Sequence, residues 1–301
     1  MTGRTNAPEA ASLRPLLITD SCCDLPAALL AERDIVTLDY PVVLDGVEQV
    51  DESGRPVSHA LFYGRVRAGA APSTAAIAIP SYAEAFRAGA AQGRPVVLLG
   101  LSSALSGTFD RALMARDLVL EEYPEADIRV IESLNASVAL GLLVLEAADH
   151  ISAGAAIDEL VAWLEPARST VNAYFTLETL EHLRRGGRIS DVAAAAGTML
   201  DIKPVLRIDG IGALVISEKL RGRRKSMAAL ADILQRRIDG GRRVLVGHGD
   251  SPEDGARLAE MVRERAGAAE VVVTEVGPVI GSHVGPGMLA VAFIGTERSV
   301  R

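Results

Sequence analysis

Residues 96–132 read VVLLGLSSALSGTFDRALMARDLVLEEYPEADIRVIE, and this stretch decides the fold class of the first half of the chain. An all-apolar run over 96–99 is followed by a loop of serines and glycines, then by a segment over 108–122 that we predict to be helical, and finally by a strand over 127–132. Short apolar strands separated by helices are typical of a parallel sheet with helices on both faces. The stretch therefore predicts a strand–helix–strand unit of an α/β fold.

The sequence on either side of this unit predicts two domains. At 301 residues the chain is long enough to form two cores. Near the start, a short apolar run over 16–19 precedes a helix for which Asp24 is the predicted N-cap. We expect residues 1–14 to form a disordered tail and residues 15–165 to form an N-terminal α/β domain with a mostly parallel sheet. The pair Glu165-Pro166 predicts the boundary.

The second half of the chain has a different pattern. Two extended runs, 204–208 and 213–217, flank the turn sequence DGIG at 209–212, which indicates an antiparallel hairpin. A helical segment and further apolar strands follow it. We therefore predict a C-terminal domain over residues 166–301, built on a mixed α/β sheet that is covered by helices.

Composition and charge exclude several classes of function. The net charge of −8 argues against a nucleic-acid-binding surface. No apolar run approaches the roughly 20 residues of a membrane span, so we expect no stable membrane insertion. The two cysteines, Cys22 and Cys23, are adjacent and too few for a metal cage. We expect them to be reduced and packed in a cytoplasmic protein that uses no metal and no cofactor.

Hydroxyl side chains follow several of the predicted strands, at the edge of a parallel sheet where ligands usually bind. Ser102 and Ser103 follow the strand over 96–99, and Ser73 and Thr74 lie in another loop. The first loop also opens a helix, whose N–H groups and dipole favour an anion. Helix capping explains many such hydroxyls, and we assign Ser106 and Thr108 that role. Ser102 and Ser103 are the better candidates for a ligand.

A single histidine stands out near the end of the chain. Residues 277–287 read GPVIGSHVGPG, with four glycines and two prolines around His283. Glycine permits unusual turns and proline fixes φ, so we predict a rigid loop that presents one imidazole. Hydroxyls, backbone N–H groups and an imidazole together suit the binding of a carboxylate or a phosphate.

The residues leave more than one class of function open. The chain contains no Gly-x-Ser-x-Gly elbow and no P-loop, which argues against a catalytic serine or a nucleotide site. An enzyme, either a hydrolase or a phosphotransferase acting on a small acyl or phosphorylated substrate, would need His283 as acid or base and a serine as nucleophile. The basic segment 184–190 (RRGGRIS) is either a solvated helix end or a docking point for an anion or a partner protein.

Taken together, several motifs resemble the DegV family of bacterial fatty-acid-binding proteins. They occur in the family's order over roughly residues 15–295, and they are TDSCCDLP (19–26), LSSALSGT (101–108), IES (131–133), LRRGGRIS (183–190), IKPVL (202–206) and the segment 277–287. The resemblance implies two α/β domains that bury a long acyl chain between them or inside the first. It also implies a carrier in lipid transport or fatty acid metabolism, with no catalytic residue of its own.

The resemblance also assigns residues to the ligand. The carboxylate of a palmitate-like fatty acid would be held by Thr74, Ser103 and His283, with Ser102 and Ser73 as neighbours. Some relatives present the fatty acid to a separate kinase, and Arg188 matches part of the partner-facing surface. The sequence leaves the length and unsaturation of the chain, the partner kinase and the oligomeric state open.

One loop departs from the family's pattern. The family usually has Thr-Ser-Gln-Pro-Ser where this chain has Thr74 followed by Ala75, Ala76, Ile77 and Ala78. A neutral hydrogen bond contributes only about 1 kcal/mol, whereas each buried methylene contributes roughly 0.8 kcal/mol. We therefore expect the lost hydroxyls to change the choice or pose of the ligand before they abolish binding.

Overall fold

The structure of the protein is a computed structural model that describes residues 13–48, 58–189, 202–239 and 243–299. Its strands are β1 (Leu16–Asp20), β2 (Ile35–Leu38), β3 (Val42–Leu44), β4 (Val47–Glu48), β5 (Ser73–Thr74), β6 (Val96–Gly100), β7 (Ile128–Glu132), β8 (Val171–Thr176), β9 (Ile202–Ile208), β10 (Leu214–Arg221), β11 (Arg243–His248), β12 (Glu270–Glu275) and β13 (Leu289–Ile294). Its helices are α1 (Ala27–Glu32), α2 (His59–Arg67), α3 (Ile79–Ala91), α4 (Thr108–Glu122), α5 (Ser137–Ser152), α6 (Ile157–Thr170), α7 (Glu181–Gly186), α8 (Arg223–Arg237), α9 (Pro252–Ala266) and α10 (Pro278–Val284).

The first sheet is parallel, in the strand order β2-β1-β6-β7. β6 and β7 are neighbours in it, with Val96 opposite Ile128, and α4 connects them. β1 and β6 are buried along their whole length, as expected of strands covered on both faces. The α/β unit predicted from residues 96–132 is therefore confirmed.

The second sheet has six strands in the order β10-β9-β8-β13-β11-β12. β11 and β12 are parallel and the other neighbours are antiparallel, so the sheet is mixed as predicted. β9 and β10 form the hairpin predicted around residues 209–212. Helices α8 and α9 pack on the face of this sheet that carries Val291 and Phe293. The other face joins the main core.

Helix α5 connects the two sheets. Its residues are apolar around most of its circumference, and a helix with that pattern is stable only when it is surrounded by protein. It packs on β8, β11 and β13 of the second sheet and against the 3-10 turn Ser21–Cys23 that follows β1. One continuous apolar core therefore extends from the first sheet through α5 to the second sheet.

Helix α5 packs so closely against the 3-10 turn at Gly141 that a larger residue there should destabilise the protein. A Cβ added at Gly141 would lie 2.4 Å from the backbone oxygen of Cys23, which cannot move without shifting the chain. We expect Gly141→Ala to lower the free energy of unfolding by about 1–3 kcal/mol, although alanine favours helix. Gly64 is the matched control, because it is also helical and has nothing within 4 Å of an added Cβ. Gly64→Ala should stabilise the protein in the same urea titration, and equal effects of the two substitutions would contradict this account.

Two local expectations differ from the structure. Asp24 is not a helix cap: Pro26 occupies the N-cap of α1, and Asp24 has the left-handed φ of 50° and turns its carboxylate into the core. Residues 278–284 form helix α10 where a loop was expected, since Pro278 suits the first helical turn and packing compensates for the glycines. Helix α6 runs through Pro166 to Thr170, so the predicted boundary falls inside a helix.

The division into domains at 165/166 remains a prediction. Residues 1–12 of the expected disordered tail, and Ser190 of the basic segment, lie outside the described residues. Arg14, which was assigned to the tail, donates a hydrogen bond from Nη2 to Ser152 Oγ at 2.7 Å.

Candidate functional site: an apolar chamber with one polar end

A chamber lies where the first and second sheets, α5 and α10 meet, and the space between its atoms, including the part open to solvent, is about 960 Å³. Most of its wall is apolar and comes from both halves of the chain, including Leu101, Val138, Ala173, Phe175, Ile208, Leu214, Val279, Ile280, Met288 and Ala290. The chamber is therefore suited to a ligand with a large apolar part.

Thr74 and His283 meet at the wall of this chamber. The short strand β5 pairs with β3, with Val42 opposite Thr74, and turns Thr74 inwards and Ser73 towards solvent. Thr74 Oγ1 lies 2.9 Å from His283 Nε2, within hydrogen-bond distance. The two residues come from opposite ends of the sequence, and the fold brings together this part of the predicted site.

The imidazole of His283 is half-buried and electrically neutral at neutral pH. Burial, and then the positive charges of Arg188 and Arg185, lower its pKa to about 4. Its Nδ1 has no hydrogen-bond partner among the described residues. That atom faces Gly186, where an added Cβ would lie only 2.4 Å away, so the histidine requires glycine at this position of α7.

Arg188 lies beside this pair. It was expected on a partner-facing surface, but it is half-buried and lines the chamber. Its guanidinium donates to Leu105 O at 3.2 Å and to Gly186 O at 2.5 Å. No carboxylate within the described ranges pairs with it, so its charge is available to an anion. Thr74, His283 and Arg188 thus form a polar end of a mainly apolar chamber.

The serines of the 101–108 loop differ from expectation. Ser106 lines the chamber beside Leu105, whereas Ser102 and Ser103 do not. Ser102 is fully buried and donates a hydrogen bond to Gly212 O at 3.0 Å, which ties the loop to the β9–β10 hairpin. Ser103 is exposed, and its N–H donates to Glu132 Oε1. Ser106 was assigned to capping, but the N-cap of α4 is Gly107.

The loop that departs from the family's pattern borders the chamber. Ala75 and Ala76 line it and contribute apolar surface where the family has polar groups. Ile77 is buried, and its N–H donates to Thr108 Oγ1 at 3.2 Å. The guanidinium of Arg111 donates to Ala76 O and holds the loop from outside. The substitutions therefore leave Thr74 in place and make the wall around it more apolar.

A second, more polar cavity lies on the other side of Tyr40 and Val279, which line both cavities. Its acidic residues are Asp24, Asp39, Glu48 and Glu275. His59 Nδ1 is 3.2 Å from Glu275 Oε2 in the same cavity. Within the described ranges no group of three or more His, Cys, Asp or Glu side chains could hold a metal ion.

The chain matches one protein family over nearly its whole length. The family described as "Uncharacterised protein, DegV family" covers residues 16–296. A DegV domain-containing protein of Clostridium perfringens is 39% identical over 285 residues, which are 94% of this chain and 98% of the relative. A DegV domain-containing protein of Streptomyces coelicolor is 36% identical over 282 residues, 91% of this chain and 96% of the relative.

Solved structures of relatives have the same fold. A stearic acid-binding protein from Eubacterium ventriosum matches with a TM-score of 0.84 and 27% identity, over 93% of this chain and 97% of that one. A DegV family protein from Thermus thermophilus, described by its fatty acid binding, matches with a TM-score of 0.83 and 29% identity, over 94% and 100% of the two chains. Among the described residues, no helix is both long and apolar enough to cross a membrane.

Proposed function

This chain belongs to the DegV family, and we propose that it binds a long-chain fatty acid in the chamber and carries it without chemical change. The observation that carries the proposal is the polar end formed by Thr74, His283 and Arg188 on a mainly apolar chamber. Each methylene buried there contributes roughly 0.8 kcal/mol, so the acyl tail supplies most of the affinity. The relatives with bound fatty acids support the same ligand class.

In this proposal the carboxylate lies at the polar end. Thr74 and His283 have one O–H and one N–H between them, and their mutual bond uses one of these, so the pair can donate one hydrogen bond to the carboxylate. The guanidinium of Arg188 can donate another. Ser106, which lines the chamber next to Leu105, replaces Ser103 as the serine contact. A charge-assisted bond from arginine contributes more than the neutral donors. Arg188 thus supplies a strong donor at the polar end, where the loop after Thr74 lacks the family's hydroxyls.

The same residues favour a carrier over a hydrolase. A general base works best with a pKa near the operating pH, and the pKa of His283 is lowered to about 4. A histidine that activates a nucleophile is also oriented by a third group, commonly a carboxylate. Nδ1 of His283 has no such partner among the residues that the structure describes. The phosphotransferase or hydrolase alternative therefore receives no support from this histidine.

The proposal extends to a partner and a compartment. Ser106 and Arg188 are both partly exposed where the polar end approaches the surface. A carboxylate held there is open to a separate fatty acid kinase, which would convert it to an acyl phosphate. The free, buried thiols of Cys22 and Cys23 suit the reducing cytoplasm. Binding of a candidate kinase to the lipid-loaded protein, measured with and without Arg184→Glu, tests this part, because Arg184 is an exposed residue of the same basic segment and does not line the chamber.

The ligand itself can be identified directly. The protein is purified without added lipid and denatured, and its organic extract is analysed by mass spectrometry. A stoichiometric long-chain fatty acid would support the carrier and identify its chain length and unsaturation. Folded protein that carries no lipid and binds neither palmitate nor oleate on titration would refute the proposal.

The polar end can be tested by removing single hydroxyls. We expect Thr74→Val and Ser106→Ala each to weaken palmitate binding by roughly threefold to tenfold, because each removes one hydrogen bond worth about 1 kcal/mol. The measurement is displacement of a fluorescent fatty acid by palmitate. Ser103→Ala is the matched control, since Ser103 does not line the chamber, and it should bind as the wild type does. A loss with Ser103→Ala but not with Ser106→Ala would restore the sequence-based assignment.

A further inference from the structure

Asp24 is a buried carboxylate that the proposed binding site does not use. It is only 6% exposed, and both of its oxygens have partners. Ser137 Oγ donates to Oδ2 at 2.6 Å, and the N–H of Gly277 donates to Oδ1 at 2.8 Å. The backbone oxygen of Asp24 accepts a further hydrogen bond from Thr274 Oγ1 at 2.6 Å. One residue near the start of the chain is thus bonded to three distant segments.

Two of these segments begin the helices that enclose the chamber. Ser137 is the first residue of α5 and itself lines the chamber. Gly277 directly precedes α10, from which Val279, Ile280, His283 and Val284 line the chamber. Helix α10 begins directly after Gly277 and is only seven residues long, and His283 lies near its end. A shift of Gly277 therefore moves the imidazole.

The carboxylate of Asp24 is tightly packed against the backbone of Gly277. A Cβ added at Gly277 would lie 3.2 Å from Asp24 Oδ1, which is a tight contact. Asp24 and Ser137 both have left-handed backbone conformations, with φ of 50° and 53°. Such conformations are unfavourable for residues with side chains and persist where the surrounding contacts require them. These two left-handed residues lie at the two ends of the Asp24–Ser137 hydrogen bond, where contacts of both side chains are fixed.

We propose that Asp24 is a positioning residue, which holds the starts of α5 and α10 together and thereby keeps His283 in place at the polar end of the chamber. This role rests on the proposed fatty acid binding. Asp24 touches no ligand in this role and acts through the two helices. Within the described ranges, Asp24 is the only residue of the segment 20–24 whose side chain is hydrogen-bonded to the starts of both α5 and α10.

Hydrogen bonding and charge at Asp24 can be separated by substitution. An asparagine can still accept from the Gly277 N–H and can donate its amide N–H to Ser137 Oγ, so Asp24→Asn preserves both contacts without the charge. Asp24→Ala removes both. We expect palmitate affinity to fall about tenfold in Asp24→Ala and to be largely restored in Asp24→Asn. Asp39→Asn is the matched control, because Asp39 shares the second cavity with Asp24 and has no bond to either helix.

A double-mutant cycle distinguishes positioning from general destabilisation. If Asp24 acts through α10 and His283, Asp24→Ala should have little further effect on palmitate affinity once His283→Ala is present. A purely structural loss would lower the affinity by the same factor in both backgrounds. All affinities are measured at a temperature where circular dichroism shows each variant to be folded.

The pH dependence of stability gives a second readout. Burial, partly opposed by the bonds from Ser137 and Gly277, raises the pKa of Asp24 to about 7. A raised carboxyl pKa gives a stabilising contribution at acid pH that is lost as the pH rises through 7. The Tm of Asp24→Asn relative to the wild type should therefore be higher at pH 8 than at pH 5. Its titratable and charged neighbours are Asp20, Cys22, Cys23, Tyr63 and, across the second cavity, Asp39, His59 and Glu275.

The outcomes separate this inference from the proposed function. Wild-type protein that binds no palmitate overturns both. Wild-type binding with an undiminished affinity in Asp24→Ala, or with additive effects of Asp24→Ala and His283→Ala, overturns the positioning role alone. A selective loss in Asp24→Ala, with rescue by Asp24→Asn and coupling to His283, supports it.

Discussion

Ala290→Phe is expected to lower the affinity for palmitate by about a hundredfold or more while the protein remains folded. Ala290 lies on β13 opposite Phe175 of β8, and both side chains line the chamber. A phenyl ring at this position would take the space of about four methylenes. At roughly 0.8 kcal/mol for each, the lost burial is about 3 kcal/mol, which corresponds to a factor of more than a hundred in Kd.

The affinity is measured by displacement of a fluorescent fatty acid, and folding by thermal unfolding. Ile211→Phe is the control, since it places the same ring on a turn where Ile211 is 51% exposed. It should leave palmitate binding unchanged. Equal affinities of Ala290→Phe and the wild type would place the acyl chain outside this chamber.

Arg243→Met is expected to lower the free energy of unfolding by about 2–3 kcal/mol. The guanidinium is almost fully buried and donates to Glu146, Asp149 and Glu270 at 2.7, 2.9 and 2.8 Å. It joins α5 to the first residues of β11 and β12. Methionine keeps most of the volume of the side chain but removes the cation that three carboxylates share. Removing one partner of a buried pair costs roughly 3–5 kcal/mol, and we expect a smaller cost here because Asp149 and Glu270 are 41% and 48% exposed.

Urea denaturation monitored by circular dichroism gives the free energy of unfolding. Arg116→Ala is the control, because Arg116 pairs with Asp117 on an exposed face of α4. Such surface pairs contribute about 0–1 kcal/mol. A cost below 1 kcal/mol for Arg243→Met would show that the carboxylates do not depend on this arginine.

Local sequence patterns predicted much of the architecture. The apolar strands and the helix of residues 96–132 predicted the parallel sheet, because hydrophobic runs and their spacing report burial directly. The DGIG turn at 209–212 predicted the β9–β10 hairpin for a similar local reason. The ordered motifs predicted the family, which the match over residues 16–296 confirms.

Predictions failed where the decisive contact was distant in the chain. Asp24 looked like a helix cap, since aspartate before a helix commonly caps it, yet its partners Ser137 and Gly277 are more than a hundred residues away. Residues 278–284 looked like a loop because of their glycines. Gly281 is in a helix because it packs against Phe62 and Tyr63, which leave no room for a side chain there.

In the candidate site, too, the sequence indicates the types of residue, and contacts between distant segments decide which of them line the chamber. The residue types at Thr74, His283 and Arg188 are enough to indicate an anion-binding function. Which serine accompanies them depends on how the 101–108 loop lies on the β9–β10 hairpin, and the bond from Ser102 to Gly212 O turns Ser102 away from the chamber. A loop has no regular hydrophobic pattern, so its sequence does not indicate a contact with a residue 110 positions away.

The sequence alone thus determined the α/β class, most of the strands and the family, because these follow from local apolar patterns and from ordered motifs. The tertiary structure decided which polar side chains meet. Thr74 and His283, 209 positions apart, come within 2.9 Å only when β5 and α10 pack together. Burial and the nearby arginines then make that histidine a neutral hydrogen-bonding group, since a pKa depends on surroundings that only the folded chain provides.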